Sequence, residues 1–107
     1  MRESRVEDLL HQRIERLRGV WRRVKWLGRR HAPDDFIALP SYYWTDANGR
    51  RRLHSGFVGF VEVKALGKSP RDGQLREHNE LRAHGVRIVV IDKPELIDRY
   101  FPVDNCK

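Results

Sequence analysis

The stretch Gly59-Phe60-Val61-Glu62-Val63-Lys64 decides the fold, because its apolar residues have the pattern of a β-strand that is covered on both faces. Successive side chains of a strand point to opposite faces, so Glu62 and Lys64 share one face and lie about 6–7 Å apart. A carboxylate and an ammonium in such a strand are costly to dehydrate unless each meets a partner. The pair is therefore either a mutual salt bridge at the end of a sheet or a metal ligand beside a catalytic lysine.

Two adjacent acids precede a second short apolar strand, Phe36–Leu39. Pro33 fixes the start of that strand, because proline donates nothing to a ladder of backbone hydrogen bonds. Asp34 and Asp35 then point to opposite faces of the sheet. The two acids either protect an edge or lie where a strand end meets solvent and a ligand can approach, and the sequence leaves open which of them is the ligand.

Upstream, residues 4–18 have the apolar spacing of an amphipathic helix that ends at Gly19. Ser4-x-x-Glu7 matches a capping box, which predicts Ser4 as the N-cap and a backbone contact for the Glu7 side chain. Glu7 also lies beside the apolar stripe of this helix, so it could instead face inward toward a site. Val20–Leu27, rich in β-branched and aromatic residues, is the predicted first strand.

The Tyr42–Arg52 segment contains Asn48-Gly49, a strong signal for the turn of a hairpin. Its return strand begins near Arg51 and continues into the Glu62 strand after a kink around Gly56.

The C-terminal part is predicted to contain a helix over residues 72–84, with Gln74 on the same side as His78 and Leu81 and facing the sheet. Val86–Asp92 follows as a buried strand, and the strand–helix–strand order implies a right-handed parallel crossover. Pro94–Tyr100 is predicted to be a short terminal helix, with the proline in its first turn.

Composition indicates one domain over residues 1–107 and a polyanionic partner. The formal charge is +7 with a pI of about 10.2, and residues 1–60 carry most of the excess. Basic clusters are often only solvated surface, but the overall charge favours contact with phosphate. The candidate DNA-binding residues are Arg22, Arg23, Lys25, Arg29, Arg30, Arg50, Arg51, Arg52 and Lys68.

Other features exclude several classes of protein. Cys106 is the only cysteine, which excludes an internal disulfide and a cysteine-rich zinc site. The five histidines show no metal-binding spacing along the sequence. There is no secretory signal and no apolar run long enough to cross a bilayer, so the expected location is a reducing cytoplasm without a membrane partner.

An acid at the start of one strand, followed by Glu-x-Lys on another, is the arrangement that metal-dependent phosphodiester cleavage requires. Two carboxylates hold a hard divalent cation, which polarises a phosphoryl oxygen and lowers the pKa of a water molecule. A lysine two residues from the carboxylate reaches the same phosphate and offsets charge in the transition state. Such a short motif arises often by chance, so it needs support from the rest of the chain.

The order of motifs along the chain resembles the virus-type replication-repair nuclease (VRR-NUC) family of the PD-(D/E)XK superfamily, in its small stand-alone phage and bacterial form. Four ordered motifs are far more specific than Glu-x-Lys alone. The matching pieces are Glu3–Glu7, Gly28–Asp34, Phe60–Ala65, and Ser69-Pro70 with Gln74, Leu81 and Gly85.

The resemblance implies an α/β fold with a restriction-endonuclease-like core, in which helices flank a central mixed β-sheet in the order α-β-β-β-α-β. It implies Mg²⁺ or Mn²⁺ as cofactor, with Asp34, Glu62 and the backbone carbonyl of Val63 as metal ligands. By the same resemblance Lys64 would position the nucleophilic water. Glu7 would support the site, directly or through water on the metal, and Gln74 would hold the Lys64 side of the pocket.

The expected function is therefore that of a Mg-dependent, structure-specific DNA endonuclease, encoded by a bacterium or a phage. Branched DNA is the expected substrate, as for Holliday-junction resolvases, and a homodimer would supply two active sites for symmetric incision. The alternatives are a monomeric flap or nicking nuclease and a non-catalytic DNA-binding module on the same fold.

Overall fold

The computed structural model describes residues 2–104, which contain three helices and six strands. The prediction of an α/β fold is confirmed. In chain order the elements are α1 (Glu3–Arg16), β1 (Val20–Arg23), β2 (Asp35–Leu39), β3 (Tyr42–Thr45), β4 (Arg51–His54), β5 (Phe57–Val63), α2 (Asp72–Ala83), β6 (Ile88–Ile91) and α3 (Pro94–Tyr100).

Four strands form one mixed sheet in the order β1-β2-β5-β6. β2 runs antiparallel to both β1 and β5, whereas β5 and β6 are parallel, with Val61 opposite Val89. Apart from the separate strands β3 and β4, the elements follow the order α-β-β-β-α-β, and α3 comes last. The predicted mixed sheet flanked by helices is therefore confirmed.

Helices α1 and α3 cover one face of this sheet with apolar side chains. Val6, Leu10 and Ile14 of α1 are buried against Val61 and Val63 of β5, in a core that also includes residues of β2, β6 and α3. Each fully buried side chain of this kind contributes roughly 1.5–3 kcal/mol. Since Glu62 lies between Val61 and Val63 in the strand, it points to the other face, where α2 packs.

Strands β3 and β4 form a separate two-stranded sheet, here named the hairpin arm (residues 42–54). Its turn is closed by Asp46 Oδ1, which accepts the backbone N–H groups of Asn48 and Arg50, both at 2.9 Å. The predicted kink before β5 is present at Gly56, whose φ is +91°. A Cβ atom there would lie 2.7 Å from the carbonyl oxygen of Leu39, so only glycine fits.

Two local predictions about the N-terminal part are wrong. α1 begins at Glu3, so Ser4 lies inside the first turn and does not cap the helix. Glu7 instead accepts hydrogen bonds from the Arg23 guanidinium, a charged donor that is a stronger partner than a backbone N–H. β1 ends at Arg23 rather than at Leu27, because the chain turns back and the Trp26 indole donates to the Pro33 carbonyl at 2.5 Å.

Two further predictions concern the cysteine and membrane-spanning segments. Cys106 lies outside the described residues, so the structure does not test its predicted state. Among residues 2–104, no helix is long and apolar enough to span a membrane.

Candidate active site

A cavity of about 290 Å³ opens where β2 begins and β5 ends. Side chains from α1, β1, α2 and the two strand ends meet there, and nearly all of them are charged. The structure thus brings together all five residues predicted to be catalytic, and it adds others. The lining residues are Glu3, Glu7, Arg23, Asp34, Asp35, Glu62, Val63, Lys64 and Gln74.

Asp34 and Asp35 have different environments. β2 pairs Asp35 with Val61, so the same antiparallel register continued by one residue places Asp34 opposite Glu62, and residues opposite each other project to the same face. The Asp34 side chain is 48% exposed in the cavity, whereas that of Asp35 is 1% exposed and accepts the Trp21 indole N–H at 3.0 Å. This geometry favours Asp34 as the partner of Glu62.

Gln74 joins the two charged groups of the Glu-x-Lys motif. Its amide nitrogen donates to Glu62 Oε1 at 2.9 Å, and its amide oxygen accepts from Lys64 Nζ at 2.7 Å and from the Arg71 backbone N–H at 3.1 Å. Because the oxygen faces two donors and the nitrogen faces a carboxylate, only one orientation of the amide satisfies these bonds. Lys64 Nζ lies 4.0 Å from Glu62 Oε1, so the amide provides the closer link. The predicted inward orientation of Gln74 is confirmed.

The Glu62 carboxyl group is held in surroundings that disfavour its charge. Burial raises its pKa to about 7, and nearby Asp34, Glu3 and Asp35 act in the same direction, while the Lys64 ammonium opposes the shift. Because three other carboxyl groups lie near that of Glu62, binding of a cation in this cavity is strongly favoured.

His78 lies behind Glu62 on α2 and is fully buried. Its Nε2 is 3.7 Å from Glu62 Oε1, and neither ring nitrogen has a hydrogen-bond partner within residues 2–104. Burial lowers the pKa of His78 and so disfavours the charged form of its ring. The helical spacing predicts that His78 faces the sheet, but it does not reveal the closeness to Glu62.

A second polar group surrounds Glu7 on α1. The Arg23 Nη2 atom donates to both Glu7 carboxylate oxygens at 2.8 Å, and the guanidinium also lies 3.6 Å from Asp35 and 3.8 Å from Asp34. Burial raises the pKa of Glu7 to about 7; the hydrogen bond and charge of Asp35 add to this rise, and Arg23 opposes it. Arg23, predicted to contact DNA, is therefore the resident counter-ion of these carboxylates.

His11 is the residue of this group that the sequence does not reveal. Its ring packs against the Trp21 ring at a tilt of 37° with centroids 3.6 Å apart, and burial lowers the pKa of His11. Ligand-capable atoms of Glu7, His11 and Asp35 all lie within 4.8 Å of one another. The spacing between histidines therefore does not reveal this group. The sequence signal that could have revealed it is the four-residue step from Glu7 to His11, which places both side chains on one face of the helix.

The possible metal ligands around Glu62, including its own carboxylate, suit a hard divalent cation. The carboxylates of Asp34 and Glu62 and the backbone carbonyl of Val63 offer only oxygen atoms, which Mg²⁺ and Mn²⁺ accept. Burial and the neighbouring carboxyl groups raise the pKa of Glu62, and a cation bound beside it would favour its charged form. The residues present therefore fit the cofactor that the motif implies.

A basic groove of about 320 Å³ adjoins the cavity and shares Arg23 and Asp34 with it. Lys25, Arg29 and Trp26 also line this groove, and Arg29 is paired with Glu77 at 2.5 Å. On the hairpin arm, Arg52 is paired with Asp46 at 2.6 Å. Within the described residues, no carboxylate lies within 4.0 Å of the other predicted DNA-binding cations, which are Arg22, Lys25, Arg30, Arg50, Arg51 and Lys68.

Comparison with known proteins gives a consistent assignment, although no protein-family model matches the chain. The chain is 33% identical over 96 residues to a protein named "Putative nuclease p44" of Acyrthosiphon pisum secondary endosymbiont phage 1, a match that covers 90% of this chain and 88% of that protein. A solved structure described as "VRR_NUC domain" matches with a TM-score of 0.66 and 29% identity, over 91% of this chain and 90% of the other. With this relative and this solved structure, the chain belongs to the VRR-NUC family of nucleases.

Proposed function

We propose that this nuclease is a metal-dependent, structure-specific endonuclease that hydrolyses phosphodiester bonds in branched DNA, in the manner of a Holliday-junction resolvase. The observation that carries the proposal is the Gln74 amide, which joins Glu62 and Lys64 inside the cavity that Asp34 also lines. A salt bridge that only closed the end of a sheet would need no third group between its two charges.

Each side chain has a proposed role. Asp34 and Glu62, with the carbonyl of Val63, hold Mg²⁺ or Mn²⁺. When bound, the ion supplies Lewis-acid polarisation of the phosphate and lowers the pKa of the attacking water. Lys64, whose ammonium donates to Gln74, orients that water and offsets the charge that develops on the phosphate.

The remaining roles of the cavity belong to supporting groups. Glu7 supports the site from α1, and Gln74 keeps the Lys64 ammonium beside the Glu62 carboxylate. Because effective catalysis requires groups that are already in position, loss of a supporting hydrogen bond is expected to slow the reaction without abolishing it.

The DNA is proposed to lie along the basic groove that adjoins the cavity. A net charge of +7 supports a polyanionic partner, and contacts with phosphates position a duplex without reading its sequence. Lys25 and Trp26 of the groove would contact the strand next to the scissile phosphate. Recognition of a branch then depends on DNA shape rather than on base edges.

The nuclease proposal is tested with Asp34→Asn and Lys64→Ala in a Mg²⁺- or Mn²⁺-dependent cleavage assay on a four-way junction. We expect each substitution to lower the cleavage rate by about 10²–10³-fold, the scale for loss of one preorganised electrostatic contact. DNA binding should be retained, and the exposed Lys93→Ala variant should cleave like the parent. Equal cleavage by Lys64→Ala and the parent would end the proposal, and a parent that binds without cleaving would favour a non-catalytic DNA-binding module.

Assembly into a homodimer is a further part of the proposal, with the hairpin arm as the dimer-forming or DNA-contacting element. Tyr43 and Leu53 are cross-strand partners on this arm, each 60% exposed, and the Arg51 guanidinium lies 4.9 Å from the Tyr43 ring centroid. An exposed apolar pair beside a cation suits either a second protein surface or nucleic acid. Deletion of residues 44–52 should weaken assembly or DNA binding; unchanged gel filtration and unchanged binding would rule the arm out.

The competing enzyme class is a monomeric flap or nicking nuclease. Gel filtration combined with cleavage of matched junction and flap substrates separates the two, because a monomer should prefer the flap and should not make paired incisions. We also infer one nuclease domain over residues 1–107, acting in the cytoplasm of a bacterium. The similarity to a phage protein over 88% of its length supports this inference.

A further inference from the structure

We propose that Glu7, His11 and Asp35 form a second cation site, separate from the Asp34–Glu62 site, that takes a divalent transition-metal ion. Their ligand-capable atoms lie within 4.8 Å of one another, close enough to converge on one ion. Glu7 and His11 come from α1 and Asp35 from β2, so an ion there would link the helix to the sheet. The inference goes beyond phosphodiester cleavage and does not depend on it.

The His11 ring supplies the observation that a purely structural network leaves unexplained. Its Nε2 atom has no access to solvent and no hydrogen-bond partner within residues 2–104. An unsatisfied buried polar atom costs roughly 1–3 kcal/mol, and native proteins rarely keep one without a reason. Coordination of an ion by this nitrogen would satisfy it.

Arg23 is the competitor for this site. Its guanidinium contacts both Glu7 oxygens at 2.8 Å and lies 3.6 Å from Asp35. More than half of its side chain is exposed, 53%, so it can leave without disturbing the core. The carboxylates would then exchange an internal cation for a metal ion, and Arg23 would become available at the edge of the basic groove, which it also lines.

The chemistry of the donors separates the two proposed sites. An imidazole nitrogen with two carboxylates suits Mn²⁺, Co²⁺ or Zn²⁺, whereas Mg²⁺ prefers oxygen donors alone. The Glu7–His11–Asp35 site should therefore discriminate against Mg²⁺, and the all-oxygen Asp34–Glu62 site should not.

Trp21 provides a built-in reporter for the test. Its ring lies 3.6 Å from the His11 ring by centroid distance, and its indole N–H donates to Asp35 at 3.0 Å. Co²⁺ bound at the Glu7–His11–Asp35 site should quench the fluorescence of Trp21 and produce a visible absorption band of nitrogen-ligated Co²⁺. Trp21→Phe should remove the quench, while Trp26 and Trp44 continue to fluoresce.

Three variants make the test specific. His11→Gln should lower the affinity for Co²⁺ by at least about 10–100-fold, the loss typical even of a group outside the ligand sphere. His84→Gln, at an exposed histidine of the chain, is the matched control and should bind like the parent. Arg23→Gln should bind Co²⁺ more tightly than the parent, because the competing cation is gone.

Several outcomes would overturn the proposal. They are a quench that His11→Gln leaves unchanged, a quench that equal concentrations of Mg²⁺ abolish, and no His11-dependent quench in either the parent or Arg23→Gln. If His11→Gln is unfolded by circular dichroism, Asp35→Asn takes its place, since an amide oxygen can still accept the Trp21 hydrogen bond. Retention of full Co²⁺ affinity in Asp35→Asn would contradict the site equally.

Discussion

Glu62 and Glu7 line the same cavity and both resist ionisation, yet they are held by different kinds of partner. Burial is the first cause of a pKa of about 7 in both. Glu62 is fixed on a central strand by the neutral Gln74 amide, which lies between it and Lys64. Glu7 lies on a helix and is matched by Arg23, whose side chain is 53% exposed. One carboxylate is therefore preorganised, and the other has a counter-ion that can be exchanged.

The largest difference between Glu62 and Glu7 is expected when the charge of each carboxylate is removed in turn. Glu62→Gln should lower the rate of DNA cleavage by about 10²–10³-fold, because it removes a preorganised charge at the reacting phosphate. Glu7→Gln should cost only about tenfold, since this group acts through the surroundings of the site. Single-turnover cleavage of a labelled junction measures both, and similar losses would show that the two carboxylates are equivalent.

A smaller effect is expected from the group that holds Glu62 in place. Gln74→Leu keeps the size of the side chain but removes its bonds to Glu62 and Lys64, so cleavage should fall by about 10–100-fold. The free energy of unfolding should fall by about 1–3 kcal/mol, the scale for hydrogen bonds to charged groups. Gln12→Leu, on the exposed surface of α1, is the control. Wild-type cleavage by Gln74→Leu would mean that the strand alone positions the two charges.

The smallest effect concerns stability against pH in the metal-free protein. The pKa of Glu62 and that of Glu7 are each near 4.5 in the unfolded chain and about 7 in the folded protein, so each contributes stability that is complete below about pH 4.5 and lost as the pH rises through about 7. Thermal unfolding should therefore occur at a lower temperature at pH 8 than at pH 5.

The same measurement on variants sharpens the comparison between the two carboxylates. Glu62→Gln should gain about 1 kcal/mol at pH 8 relative to the parent, less than the full pKa shift implies, because the substitution also removes the attraction to Lys64. Glu7→Gln should gain less, because it also loses the Arg23 ion pair. A steeper pH dependence in Glu62→Gln than in the parent would contradict the assigned cause.

The sequence could predict the side of the cavity formed by Glu62, Lys64 and Gln74, because the short-range periodicity of strands and helices determines where these side chains point. Alternation along β5 places Glu62 and Lys64 on one face, and the helical spacing of α2 turns Gln74 toward them. Both predictions hold in the structure. The bounds of α3 were also predictable, since Pro94 favours the first turn of a helix.

The Glu7–Arg23 side of the cavity could not be predicted. It depends on which of several charged side chains come together in the folded protein. Arg23 belongs to a basic cluster and could have met phosphate or any of several acids, and only the fold brings it to Glu7. The capping-box prediction for Ser4 fails because α1 begins at Glu3, and the Glu7 side chain is paired with Arg23 instead of the backbone. The pairing of Trp21 with Asp35 depends on the register between β1 and β2, which no local pattern fixes.

The hairpin arm has a practical consequence. It is fastened at its base, where the Tyr42 hydroxyl donates to the Pro102 carbonyl and the Thr45 backbone N–H donates to Asp104 Oδ1, both at 2.7 Å. Within residues 2–104 its strands pair only with each other. An inserted tag or a fluorophore at the Asn48-Gly49 turn should therefore leave the alignment of the strands β2 and β5 unchanged. This turn is a suitable place to attach a dye that reports on assembly or DNA binding through the arm.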